Sequence, residues 1–117
     1  MTTLYSRFRE QAIEVLHGLD GSLELYTTRV VYRPMWCQRL FQRARPVTVR
    51  LRDIDKVVLH GNKLERMGIL TIYPVNHEPL SIAYICQSHC HQIALDIKDA
   101  IEKVVQARAV DAQVSAA

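Results

Sequence analysis

Acidic residues are missing from one long stretch of this chain. Between Arg29 and Arg52 there is no Asp or Glu, while seven arginines (Arg29, Arg33, Arg39, Arg43, Arg45, Arg50 and Arg52) fall there. The rest of the sequence holds eight Lys or Arg against twelve acids, so the net charge of +3 hides a sorted distribution. Cysteine is scarce and odd in number: Cys37, Cys86 and Cys90. A disulfide framework does not fit that count, and a reduced cytoplasmic protein is the simplest reading. No apolar run approaches the ~20 residues that span a bilayer. The opening MTTLYSRFREQAIEVL lacks a basic region followed by an apolar one, so no secretory signal is expected. There is no Gly-x-Ser-x-Gly, no glycine-rich phosphate loop, and no helix-turn-helix, RNA-recognition or zinc-finger signature. Near the stripe formed by Arg50 and Arg52 with Arg29 or Arg33, the aromatics that could stack on bases are Tyr32 and Trp36. Nucleic acid is therefore an unlikely partner, and no enzyme class or cofactor is indicated.

What is present is a single domain's worth of ordinary globular sequence, 117 residues with 49% hydrophobic and 23% charged. Short runs of period two dominate the middle. Leu4 to Gln11 reads as a short helix, then Ala12 to Leu19 as a strand placing Ile13, Val15, His17 and Leu19 on one face. Asp20-Gly21 predicts a tight hairpin turn into Ser22–Tyr26. Arg29–Arg33 is a strand ended by Pro34. Val47–Arg52 alternates cleanly, with Val47, Val49 and Leu51 on one face and Thr48, Arg50 and Arg52 on the other. Asp53-Ile54-Asp55 is a turn into Lys56–His60; Gly68–Tyr73 and Leu80–Ile85 complete seven strands.

From Ser88 the period changes. Ile93, Ile97, Ala100, Ile101 and Val104 form one stripe of an amphipathic helix, expected from about His89 to Ala107, with 108–117 as a flexible tail. Residues 12–107 then make the domain and 1–11 an extension. A mainly β (α+β) fold follows: seven antiparallel strands in a partly open barrel, capped by the C-terminal helix.

The runs Gly21-Ser-Leu-Glu-Leu-Tyr, Arg29-Val-Val-Tyr-Arg33, Val49-Arg-Leu-Arg-Asp-Ile-Asp-Lys-Val57, Gly68-Ile-Leu-Thr-Ile and Leu80-Ser-Ile-Ala-Tyr, followed by the helix, resemble bacterial pleckstrin-homology-like and GRAM-like domains. The resemblance covers roughly residues 12 to 105. It implies the barrel-and-helix fold, and it leaves function open, because that fold carries lipid binders, peptide binders and scaffolds.

Three candidate sites stand out. The segment from Pro34 to Pro46 interleaves Met35, Trp36, Leu40 and Phe41 with Arg39, Arg43 and Arg45. Such a composition suits contact with a protein or a second copy of the chain. It also suits an anionic membrane surface, where apolar groups enter the interface and arginines meet phosphates. The bland alternative is a loop packed on its own barrel. Arg50 and Arg52, beside Arg29 or Arg33 on the neighbouring strand, would make an anion-binding stripe; the alternative is a solvated face, or pairing with Glu24, Asp53 and Asp55. Cys86, His89, Cys90 and His91 have zinc-capable chemistry but no zinc spacing, and His89 and His91 point about 200° apart on a helix. A site would need His60 or His77 as well. The expected function is a non-catalytic interaction module, self-associating or protein-binding, with peripheral binding of anionic lipid at the inner membrane face as the second reading and zinc binding as the third.

Overall fold

The inward residues Leu23 and Leu25 set the parity of the first sheet. In the computed structural model, which describes residues 11–35, 45–61, 66–85 and 88–116, strand β1 (Glu14–His17) pairs antiparallel with β2 (Gly21–Leu25) in the register that puts Leu16 opposite Leu23. Both leucines are buried, so the core takes Leu16 from β1. The expected face is therefore corrected: Ile13, His17 and Leu19 are exposed and Val15 is half-buried. One leucine against a buried leucine outweighs the longer run of apolar residues on the other side, because the period of two lets only one face turn inward.

The Asp20-Gly21 turn is also corrected. Gly21 starts β2 instead of occupying a left-handed turn position, and the connection is 18–20, closed by the Gly18 amide on the Gly21 carbonyl (2.8 Å). Glycine is needed there because any Cβ would overlap the Arg33 carbonyl oxygen of the adjacent strand.

Strand β3 (Arg29–Pro34) continues the meander, and β4 (Val47–Arg50) completes a sheet of order β1-β2-β3-β4. Val30 and Tyr32 face the core opposite Val49 and Val47; Arg29 and Val31 take the other side of the sheet opposite Arg50 and Thr48, where Val31 is nonetheless buried. A 3₁₀ turn, Leu51–Asp53, then redirects the chain into β5 (Ile54–His60), which pairs with β6 (Met67–Pro74), and β6 with β7 (Leu80–Ile85). Arg52 accordingly sits on that turn and not on the outer face of a strand. Leu51 folds into the core there, on the inward side that Val47 and Val49 also take, and the regular strand ends before Arg52.

The two sheets do not close into a barrel. They meet at the 3₁₀ turn, where the Leu51 amide donates to the Thr28 carbonyl (2.9 Å), and at β7, where the Leu19 amide donates to the Ala83 carbonyl (2.8 Å). Helix α1 (Ser88–Ala116) packs mainly on β5, β1 and the 3₁₀ turn. Ile97 and Ile101 are fully buried, with Ile93, Ala100 and Val104 half-buried beside them, as the stripe predicts. The helix runs nine residues past the expected end at Ala107, because 108–116 holds neither Gly nor Pro and is rich in alanine, the strongest helix former. The expected helix at 4–11 lies almost wholly outside the described residues, as do Trp36, Cys37, Arg39, Leu40, Phe41 and Arg43.

Candidate anion-binding cleft

Arg29, Arg50 and Arg52 gather at one end of the first sheet, whereas Arg33 lies at the other end of β3. The turn between β2 and β3 is closed by the Tyr26 amide on the Arg29 carbonyl (2.8 Å), which brings Thr27 and Thr28 to its tip. Arg50, the last residue of β4, stands directly across from Arg29. Two residues on, Arg52 projects from the 3₁₀ turn. Thr27, Thr28, Arg50 and Arg52 rim a cleft of about 410 Å³ floored by Leu51 and by Val104 of α1. The arrangement is a cationic rim over an apolar floor. Such a site can take an anionic group and shelter part of an apolar body attached to it.

The turn is held from beneath. Arg108 of α1 donates from one guanidinium nitrogen to the Arg52 carbonyl and from the other to the Ile54 carbonyl (2.8 Å). These bonds fix the backbone that presents Arg52, and they bring a third guanidinium to the same corner.

Electrostatics differ among the arginines. Arg29 and Arg50 face one another directly across β3 and β4. Arg29 lies over the Tyr26 ring, 4.3 Å from its centroid, a contact between the ring's negative face and the cation. Arg50 approaches Asp53 at 4.0 Å with both side chains more than half exposed, a geometry worth little in water. Arg33 is committed elsewhere: its Nε donates to Glu24 Oε1 at 2.7 Å, and that hydrogen bond together with the carboxylate charge holds its pKa above the ordinary arginine value. Tyr26 donates to the same oxygen at 3.2 Å. The expected partnering with Glu24 and Asp53 thus holds for Arg33 and, weakly, for Arg50. Asp55 is exposed on β5.

The remaining expected positions scatter. Met35 is exposed at the end of β3, its amide bound to the Asp20 carbonyl (3.0 Å), and Arg45 is exposed just before β4. His89 is exposed, Cys90 half-buried against the core, and His91 buried with Nδ1 3.0 Å from the Tyr84 hydroxyl. His60 and His77 are exposed on β5 and on the turn after β6. Among the described residues no cluster of three His, Cys, Asp or Glu converges on a metal position. Sequence patterning did not pick out Arg108 or the two threonines. Arg108 lies past the last apolar position of the stripe, and nothing in its neighbours signals contact with a turn 56 residues earlier.

Compared with known protein-family models and with curated proteins, the sequence matches none.

Proposed function

We propose that this chain is a non-catalytic binding module of the pleckstrin-homology-like kind, and that it engages phosphate-bearing headgroups of an anionic membrane through the Arg50–Arg52 cleft. The observation that carries the reading is the rim of Arg50 and Arg52 over Leu51 and Val104, next to the cross-strand arginine pair. An anion seated there gains Coulomb attraction from both rim guanidiniums. Half-buried Val104 offers apolar area to the glycerol or acyl base of the same molecule. The meander of four and three antiparallel strands with one closing helix supports the fold assignment. Glu24 is held by Arg33 and Tyr26, and His91 by Tyr84, so these two polar groups serve the fold. No described helix is long and apolar enough to cross a membrane, so the attachment proposed is peripheral.

Vesicle sedimentation tests the reading. Binding to phosphatidylcholine vesicles containing phosphatidylserine should exceed binding to phosphatidylcholine alone, and should fall as salt rises. Each arginine near an anionic surface is worth about 1 kcal/mol, so Arg50→Gln with Arg52→Gln should weaken binding on the order of 30-fold. Equal binding to neutral and anionic vesicles, or an unaffected double variant, would overturn it.

A further inference from the structure

Arg50 lines two clefts. Besides the one it rims with Arg52, it shares a second, of about 330 Å³, with Thr48, Asp53, Asn76 and His77. Three elements build this second cleft. Strand β4 brings Thr48 and Arg50, the 3₁₀ turn brings Asp53, and the turn after β6 brings Asn76 and His77. The Val75 amide donates to the Asp53 carbonyl (2.8 Å), which ties the two turns together. All five residues are exposed, so a ligand can reach them from solvent.

The clefts differ in charge. Among the described residues lining the first there are two arginines and no acid. The second adds one carboxylate, Asp53, whose contact with Arg50 is long at 4.0 Å and leaves it able to meet another cation. His77 Nδ1 lies 2.8 Å from the Glu78 carbonyl, and a carbonyl only accepts, so Nδ1 carries the ring proton. Nε2 of the neutral ring is then an acceptor. With the Asn76 side-chain carbonyl and the Thr48 hydroxyl, the cleft offers several acceptors around a single negative charge. A primary ammonium, with one positive charge and three N–H donors, complements that set. A quaternary ammonium has the charge and no N–H to give. A second phosphate would meet the Asp53 carboxylate. A divalent cation would find too few ligands, since no three His, Cys, Asp or Glu of the described residues converge.

We propose that this second cleft holds the primary ammonium of the headgroup whose phosphate lies at Arg50 and Arg52, so that the chain selects phosphatidylserine over anionic lipids without an amine. The proposal rests on the headgroup reading and deepens it. In a serine headgroup only two carbons separate the phosphate ester oxygen from the amine. That short link suits two clefts that share one guanidinium.

Vesicle sedimentation tests the proposal, with phosphatidylserine or phosphatidylglycerol at the same mole fraction in phosphatidylcholine. Both lipids carry one net negative charge, so the surface potential is matched. The wild-type chain should bind the phosphatidylserine vesicles on the order of 10-fold more tightly, the worth of one charge-assisted hydrogen bond. Asp53→Asn keeps the shape of an exposed side chain, so folding should survive, checked by an unchanged melting profile. It removes the charge that the ammonium meets and should bring the two lipids to one affinity. A preference that arose from the serine carboxylate would persist or grow in Asp53→Asn, and that result would overturn the proposal. Equal binding of the two lipids by the wild-type chain would overturn it as well; the headgroup reading would still stand if Arg50→Gln with Arg52→Gln weakened both. Binding to neither lipid would overturn both.

Discussion

The Tyr84 hydroxyl and Nδ1 of His91 lie 3.0 Å apart, both buried, and join the last strand to the first turns of α1. A hydrogen bond in the core thus ties the end of β7 to the start of α1. Replacing Tyr84 with Phe keeps the ring and removes the bond. It should cost about 1 kcal/mol, read as a lower urea midpoint with an unchanged slope. An unchanged midpoint would mean the contact does not hold the helix start.

Gly68 sits opposite Tyr84, and a Cβ at that position would overlap the buried ring. Gly68→Ala should therefore destabilise the fold by about 1–3 kcal/mol, although alanine suits most backbone positions better than glycine. Calorimetry decides the matter: a melting temperature at or above the wild type would show that the ring has room to move.

Ile97 is fully buried under the stripe of α1. Ile97→Ala should lose roughly 2–5 kcal/mol, and Ile97→Asp more, since a carboxylate there has no water and no partner. Chemical denaturation of both variants checks the order. If the two substitutions cost the same, the helix is not docked as described.

Tyr32 points inward from β3, half-buried, and its pKa is raised above 10.0, first by burial and second by the charge of Asp20. The neutral phenol is the form that the folded state prefers. Its contribution is fully present below pH 10.0, and it is lost as pH rises through the higher folded value, because the unfolded chain then holds fewer protons. Tyr32→Phe should flatten the fall in melting temperature above pH 10.0. Identical alkaline profiles for the two proteins would sink this assignment.

Periodicity revealed the number of strands, their order in the chain and the closing helix, because long alternating or 3.6-spaced runs are strong local signals. Parity was harder. At β1 the longer apolar run lies outside, and only the pairing of Leu16 with Leu23 decides which side turns in. Arg52 was misplaced for a related reason: Leu51 continues the inward side of Val47 and Val49, but it does so from a 3₁₀ turn. The cleft itself was half visible. Arg50 and Arg52 announced themselves by charge, whereas Thr27, Thr28 and Val104 join them only through the fold.

The grip of Arg108 on the Arg52 and Ile54 carbonyls bears on how long the folded state lasts. It spans 56 and 54 positions of sequence, so its loop closes only after the corner between the sheets exists. The free energy of an interaction absent from the rate-limiting arrangement of folding acts on escape, so Arg108→Ala is expected to speed unfolding and leave the folding rate almost untouched, which stopped-flow rates in both directions check. On that outcome, a single guanidinium near the end of the helix lengthens the lifetime of a corner that forms half a chain away.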